Sequence, residues 1–334
     1  MNLYEQQTAN RRRTWLIMIA FVAFLLLLGL GFDTFYLGGV GGNVPIGSLI
    51  ALAVGSGSAV ISYFTGDRAV LAASGATPLA DVAATASDAD KLKLRQLENI
   101  VDEMAIAAGL PRPAVYIVPD ADPNAFATGR GPGHASIAVT RGLLDALDRE
   151  ELQGVVAHEM SHVKNLDVRV MTIVAALVGG VALLSDWARR GMWFGGGSSR
   201  RSSRSSDNGD GGGGGALGLV FFAVWIVAII LAPFLAQALA MMVSRKREYL
   251  ADASGAELTR NPMGLASALE KIEAAAEPTK AINRGSAHMC IADPLGRQVD
   301  LKEGGWSNLF ASHPPMAARI AALREMGFQH APPV

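Results

Sequence analysis

The sequence predicts a mainly α-helical protein with a small β-sheet, integral to a membrane. Composition is the first observation: half of the 334 residues are hydrophobic and 18% are charged, against about 25% charged residues in soluble domains. The second is the presence of long apolar runs without charge. The third is a central region in which helical periodicity dominates and only two short segments alternate as strands do.

Two apolar runs near the N-terminus predict a transmembrane hairpin of two helices. Trp15 to Phe32 and Val44 to Phe64 contain no charged residue, and each can cross most of a hydrocarbon core of about 30 Å. Arg11–Arg13 precede the first run and predict a cytoplasmic N-terminus. A cleaved signal peptide is the alternative for the first run, although no small-residue cleavage site follows it.

The next hundred residues contain two predicted helices and two short predicted strands. Residues 66–90 are small and polar, which predicts a linker, and a helical pattern begins at Lys91 and ends at Gly109. The elements predicted after it are two strands, Ala114–Val118 and Ser136–Thr140, and a loop between them, Asn124–Gly133. Asp148 and Glu151 have the spacing of a capping box and open a further helix.

Two more apolar segments follow, separated by a low-complexity stretch. We expect residues 168–184 and 216–243 to enter the membrane, with a soluble core helix as the alternative for the first. Residues 185–215 are rich in Gly, Ser and Arg and predict a flexible loop. If both segments span, this arginine-rich loop lies outside the cell, against the positive-inside tendency. The alternative is that the two segments do not fully cross.

These features give a predicted domain order from the N-terminus. It begins with a cytoplasmic segment (1–14), the transmembrane hairpin (15–64) and the first part of the catalytic domain (65–167). A third apolar segment (168–184), the flexible loop (185–215), a fourth span (216–243) and the second part of the catalytic domain (244–334) follow.

The helix opened by Asp148 carries the residues with the clearest chemistry. His158 and His162 are four positions apart and therefore share one helix face, where two imidazoles can hold one zinc ion. Glu159 lies beside that position and can take a proton from a zinc-bound water. The alternative is an exposed helix face with two solvated histidines.

A catalytic zinc site requires a third protein ligand from elsewhere in the chain. Glu248 is the candidate, and Asp252, one helical turn later, falls on the same face and could orient a ligand histidine. On spacing alone, a surface carboxylate paired with a nearby Arg or Lys explains Glu248 equally well.

The motifs together resemble the HtpX-type membrane metalloproteases, which are relatives of the CAAX prenyl endopeptidases. The matching segments cover His158–His162, Glu248–Asp252, Pro123–Gly129, and Ser312–Pro315 with Arg319. The resemblance implies a gluzincin-like catalytic domain with one zinc ion per chain, bound by His158, His162 and Glu248. It also implies that Glu159 is the general base, that Asp252 orients a ligand, and that His313 and Arg319 lie near the substrate carbonyl.

The resemblance further implies a location and a substrate class. We expect a protein integral to the bacterial cytoplasmic membrane, with its active site facing the cytoplasm, that hydrolyses misfolded or membrane proteins. A strand in the 124–140 region could pair with an extended peptide, and Asn124 could hydrogen-bond the peptide backbone. The net charge of −1 gives no case for nucleic-acid binding.

The remaining histidines and the one cysteine are predicted to be non-catalytic. His134, His288 and His330 have no ligand spacing to one another, and Cys290 is expected to be a small buried side chain. Two other functions stay open at this point: a CAAX-type prenyl-protein processing protease, and a non-catalytic membrane scaffold with structural zinc.

Overall fold

The structure is a computed structural model that describes residues 3–36, 44–177, 245–275, 279, 281–282, 287–292 and 314–329. The chain divides into two compact units: residues 1–16, 61–176 and 239–334 form the first, and residues 17–60 and 177–238 form the second. The predictions for the 185–215 loop, the 216–243 span, the end of the 168–184 segment from residue 178, His313 and His330 fall outside the described residues.

Helix α1 (Leu3–Tyr36) contains the first predicted span, and helix α2 (Ile46–Ala73) begins two residues after the start of the second and extends beyond its end. By length and composition, both are candidate membrane spans, over Gln7–Gly31 and Ile46–Ala73. Most of the large apolar side chains that are exposed in the described residues belong to these helices, among them Trp15, Leu27 and Ile50. Lipid would cover such side chains, which agrees with the predicted membrane attachment.

Within the second unit, a buried carboxylate joins the two helices. Asp33, near the end of α1, accepts hydrogen bonds from the backbone N–H of Gly47 at 2.6 Å and of Ser48 at 2.8 Å. The Ser48 hydroxyl donates a third, at 2.6 Å. The first turn of α2 leaves these N–H groups without intrahelical acceptors, so Asp33 caps the second helix.

The prediction that residues 66–90 form a linker is wrong. α2 continues to Ala73, and strand β1 (Thr77–Pro78) and helix α3 (Leu79–Thr85) follow it. The stretch is rich in alanine, which has the highest helix propensity, and its small side chains conceal that preference in a hydropathy pattern. Helix α4 (Asp88–Ala108) is capped by Ser87 and ends at Gly109, whose φ of 67° fits a glycine C-cap.

A four-stranded sheet follows. Its strands β2 (Ala114–Val118), β3 (Ala125–Gly129) and β4 (Ala135–Thr140) join β1 in the order β1-β2-β4-β3. β2 and β4 run parallel, whereas β1 and β3 are antiparallel to their neighbours. The prediction of a loop at Asn124–Gly133 is wrong where β3 forms. All five residues of β3 are buried, so the alternation that reveals a half-exposed strand is missing.

The remaining elements are helical. They are α5 (Arg141–Ala146), α6 (Arg149–Lys164), α7 (residues 167–177 as described), α8 (Arg245–Thr259), α9 (Pro262–Ala274) and α10 (Met316–Gln329), with 3₁₀ turns at Pro132–His134 and Ala287–Met289. α6 lies at the centre of the first unit, in contact with α4, α8, α9 and β3. The predicted class, mainly α-helical with a small sheet, is confirmed.

Candidate metal and catalytic centre

Helix α6 presents the two motif histidines to one point inside the first unit. The predicted capping box at its start is present: Asp148 accepts from the Glu151 N–H, and the Glu151 side chain accepts from the Asp148 N–H. His158 and His162 lie one turn apart and their ring centroids are 4.9 Å from each other. Both histidines are buried, which contradicts the alternative of a solvated helix face.

Helix α8 brings a carboxylate to the same point. Glu248 places Oε2 3.8 Å from His158 Nε2 and Oε1 3.7 Å from His162 Nε2. One donor atom from each of the three residues lies within 4.8 Å of the others. Atoms that share one zinc ion, with bonds of about 2.0–2.2 Å, have separations near these values. The two nitrogens and the carboxylate therefore fit a metal ion.

A glycine allows the two ligand helices to approach closely. Gly255 on α8 faces His158 on α6, and a β-carbon added there would lie 3.0 Å from the His158 backbone nitrogen. That distance is shorter than ordinary van der Waals contact, so a larger side chain would force the helices apart.

Each histidine has a buried carboxylate next to Nδ1, whereas its Nε2 faces Glu248. His158 Nδ1 lies 2.9 Å from Asp252 Oδ1, and His162 Nδ1 lies 3.2 Å from Asp167 Oδ2. A carboxylate at Nδ1 holds the proton on that nitrogen and leaves Nε2 free to bind a metal. Asp252 thus lies where the sequence predicts it. Asp167 was missed, and its only signal is its place five positions after His162.

The carboxylates also set the electrostatics of the two histidines. Burial lowers the pKa of His158, and the Asp252 carboxylate only partly opposes that effect. Burial would likewise lower the pKa of His162, but the hydrogen bond to Asp167 and the charge of Glu248 outweigh it and raise this pKa to about 9. The surroundings of His162 therefore favour a positive charge, which a proton or a metal cation can supply.

Glu159 is buried next to these donors without satisfying its own oxygens. It has no exposed surface; the backbone N–H of Ala127 lies near its carboxylate, but neither oxygen has a well-formed hydrogen bond to the described residues. Burial raises the pKa of Glu159 to about 7. A buried, unpaired carboxylate costs free energy of folding, and such groups are concentrated at functional sites.

Comparison with known proteins identifies the chain's family. The sequence profile of peptidase family M48 matches residues 91–327, which contain α6, α8 and most of α10. The chain belongs to peptidase family M48. Proteins named "Protease HtpX homolog" are 40% identical in Caldanaerobacter subterraneus, 40% in Streptococcus gordonii and 42% in Lactobacillus helveticus. Each alignment covers 97% of this chain and 98 to 100% of the relative.

A solved structure is also similar. The crystal structure of Ste24p from S. mikatae matches 96% of this chain and 66% of its own, with a TM-score of 0.43 and 18% identity. The family and the curated relatives make this M48 protein a metalloprotease, as the resemblance implied. Helices α1 and α2 are long and apolar enough to cross a membrane, as expected for a membrane metalloprotease of this family.

Arg319 of this M48 protease is fully buried behind the site. Its Nε and Nη2 donate to Asp252 Oδ2 and Oδ1 at 2.8 and 2.7 Å, and its Nη1 donates to the Ile291 carbonyl at 2.7 Å. Nη1 also lies 3.7 Å from Glu248 Oε2. Burial alone would raise the pKa of Asp252, but the Arg319 charge outweighs burial and lowers it to about 2. The role of Arg319 at the substrate carbonyl stays a prediction.

The outer edge of β3 is paired with a segment of the same chain. The Ile291 N–H donates to the Ala125 carbonyl at 2.9 Å, and Phe126 forms an antiparallel bridge with Cys290. Asn124, whose side chain is buried, donates from Nδ2 to the Ala292 carbonyl at 3.1 Å. The group predicted to bind a substrate backbone therefore binds the backbone of residues 290–292, here called the edge segment.

Three further side chains, predicted to be non-catalytic, lie outside the group of metal donors. Cys290 is buried in an apolar cluster. His134 is exposed and its Nε2 lies 3.0 Å from Arg130 Nη2. His288 is buried, with Nε2 3.2 Å from the Met171 carbonyl oxygen.

Proposed function

We propose that this M48 protein is a zinc-dependent endopeptidase that binds one zinc ion through His158, His162 and Glu248. The observation that carries the proposal is the convergence of these three donors beside Glu159, whose buried oxygens are unsatisfied by the described residues. Two nitrogens and one carboxylate form the ligand set of catalytic zinc sites in which a fourth position is left for water.

Zinc, when bound, supplies Lewis-acid chemistry that activates a water molecule and polarises a peptide carbonyl. Glu159 accepts the proton of the attacking water and then donates it to the leaving amine. A pKa near 7 suits both steps, because such a carboxylate takes up and releases protons near neutral pH. Asp252 and Asp167 keep the Nδ1 protons of the two ligand histidines in place.

We further propose that an extended peptide substrate pairs with the edge of β3. Ala125 and Gly129 point their backbone groups away from β4: the Ala125 carbonyl accepts from Ile291, and the Gly129 N–H donates to the Thr172 hydroxyl. The edge segment is bound as a substrate peptide would be: Asn124 donates to the Ala292 carbonyl and Arg319 donates to the Ile291 carbonyl. A substrate strand that pairs at the same place would displace residues 290–292.

The site's relation to the membrane suggests the substrate class. α1 is both a candidate span and, through residues 3–16, part of the unit that holds the metal donors. The exposed Arg11–Arg13 precede the uncharged stretch of α1 that begins at Trp15, which favours a cytoplasmic position for that unit. We therefore propose misfolded or membrane-embedded proteins of the cytoplasmic membrane as substrates, cleaved on the cytoplasmic side.

Replacing the proposed base tests the mechanism. Glu159→Gln in purified full-length protein keeps the shape and removes the proton acceptor, so zinc should stay bound while the rate of casein cleavage falls by about 10²–10⁴-fold. Glu150→Gln is the matched control, because Glu150 lies on the same helix and its side chain is exposed. Cleavage by Glu159→Gln at the wild-type rate would refute the mechanism. A wild-type protein that binds zinc and cleaves nothing would instead indicate a scaffold.

A further inference from the structure

An asparagine far from the motif in sequence is buried next to the metal donors. Asn10 lies on α1 and has no exposed surface, although Arg11, Arg12 and Arg13 beside it are exposed. Burying an amide is unfavourable unless its polar atoms are hydrogen-bonded. The Nδ2 atom of Asn10 donates to Asp167 Oδ1 at 2.7 Å and to the Asn165 backbone oxygen at 2.9 Å.

Asp167 connects this asparagine to a metal donor. Its second oxygen, Oδ2, lies 3.2 Å from His162 Nδ1, and the residue has no exposed surface. The side chain of Arg247, next to Glu248, approaches Oδ1 at 3.5 Å. Because Asn10 and Arg247 both engage Oδ1, the carboxylate is held with Oδ2 directed at His162.

We propose that Asn10 is a positioning residue for His162, acting through Asp167, so that the first candidate membrane helix forms part of the support of the metal site. The inference rests on the proposed role of His162 as a ligand. A carboxylate behind a ligand histidine fixes its tautomer and ring orientation, and loss of such support typically lowers metal affinity 10–100-fold. Together with Arg247, Asn10 on helix α1 holds the Asp167 carboxylate in place.

The contact to Asp167 can be separated from the docking of α1 as a whole. Gln7, one helical turn before Asn10, donates from Nε2 to the Lys164 backbone oxygen at 2.8 Å. It therefore ties the same helix to the end of α6 through a backbone oxygen that belongs to no proposed ligand or supporting carboxylate. Gln7→Ala removes a docking contact of similar length and leaves the Asn10–Asp167 hydrogen bond in place.

Zinc affinity measured on full-length protein in detergent tests the proposal. The zinc dissociation constants of wild type, Asn10→Ala, Asn10→Asp and Gln7→Ala are determined by competition with a chelator. Asn10→Ala should bind zinc 10–100-fold more weakly. Asn10→Asp should bind it at least as weakly, because a second carboxylate then faces Asp167. Gln7→Ala should bind with wild-type affinity. Cobalt substituted for zinc should give a shifted visible absorption spectrum in the Asn10 variants only, as expected for an altered ligand geometry.

Two results would overturn the positioning role. One is an Asn10→Ala protein with wild-type zinc affinity and an unchanged cobalt spectrum. The other is equal loss of affinity in Gln7→Ala, which would assign the effect to docking of α1. If Asn10→Ala does not fold, Asn10→Ser is titrated in its place, since it leaves a smaller cavity and is too short to replace the amide. Failure of the wild type to bind zinc would refute the proposed function itself, and is thereby distinguished from failure of the Asn10 variants alone.

Discussion

The guanidinium of Arg319 and the carboxylate of Asp252 form a bidentate ion pair, at 2.7 and 2.8 Å, with neither side chain exposed to a significant degree. Asp252 in turn lies 2.9 Å from His158. The pair therefore joins α10 to α8 behind a proposed metal ligand, and its removal should affect both stability and the site.

Arg319→Met should destabilise the protein by about 3–5 kcal/mol, because it leaves the buried Asp252 carboxylate without its partner. Arg324→Met is the matched control on the same helix: Arg324 pairs with Glu270 at 2.6 Å, but both side chains are exposed. Its loss should cost at most about 1 kcal/mol. Chemical denaturation of the two variants measures the difference. Equal effects would show that the Arg319 pair does not hold the helices together.

Alanine substitutions of two of the three proposed ligands should each lower the zinc content of the purified protein. His158→Ala and Glu248→Ala each remove one of three donors, so zinc should be lost during dialysis that leaves the wild type loaded. His134→Ala is the control, because that histidine is exposed and lies against Arg130. Elemental analysis gives the zinc-to-protein ratio. A Glu248→Ala protein that retains one equivalent of zinc would remove Glu248 from the ligand set.

The metal-free protein should lose stability as the pH rises, owing to Glu159. Burial raises the pKa of Glu159 to about 7 in the folded state, whereas the unfolded chain ionises near pH 4. The folded state therefore holds a proton that the unfolded state releases, and stability falls between about pH 4 and 7. The shift corresponds to about 3 kcal/mol at most.

Glu159→Gln cannot ionise and should lack this component. The free energy of unfolding of Glu159→Gln should equal that of wild type at pH 4 and exceed it by the full amount above pH 7. Denaturant unfolding of both proteins in the presence of a chelator measures this difference. The comparison reports the titration of Glu159 together with its coupling to His162, whose pKa the Glu159 charge helps to raise. An advantage that is independent of pH would indicate better packing and not a charge effect.

A disulfide between β3 and the edge segment should switch proteolysis off reversibly. Phe126 and Cys290 are opposite each other in an antiparallel bridge. Because their neighbours Ile291 and Ala125 form the hydrogen bond, Phe126 and Cys290 are a non-hydrogen-bonded pair of the antiparallel ladder. The Cα atoms of such a pair lie about 4.5 Å apart, which is within the range found for disulfides. Cys290 is the only cysteine, so Phe126→Cys creates a single intramolecular pair.

If substrate must displace the edge segment, oxidised Phe126→Cys should be at least tenfold less active on casein than the same protein after reduction. Comparing the two redox forms of one variant cancels the cost of losing the phenylalanine. Wild type treated with the same oxidant should be unaffected. Full activity of the cross-linked form would show that peptides bind without displacing residues 290–292.

The features that depend on neighbours in sequence were predictable. The capping box of α6 and the shared face of His158 and His162 follow from spacings of three or four residues, and the end of α4 follows from the glycine at position 109. Strand β3 was not predictable from alternation, because both of its faces are buried. The helices of the alanine-rich 66–90 stretch were missed because small side chains fit linkers and helices equally well.

The supporting residues of the site were harder to predict for a different reason. Asp167 reaches His162 across the break between α6 and α7, and Asn10 reaches Asp167 over 157 positions. Neither contact has a spacing that marks it in the sequence. Arg319 was predicted as a site residue from the resemblance to a family, but its hydrogen bonds to Asp252 and to the Ile291 carbonyl are visible only in the structure. The prediction for His313 lies outside the described residues.

The wide separation of the donors along the chain has a consequence for biosynthesis. α6 leaves the ribosome with both histidines and Glu159 long before α8 brings Glu248 and Asp252, and α10 brings Arg319 later still. A nascent chain that ends between α6 and α8 has two imidazoles, no third donor and no partner behind His158. Under the proposed function such a chain is inert. Under the proposed function, the set of three metal donors is therefore complete only after α8 has been translated, and the Asp252 carboxylate gains its Arg319 partner only with α10.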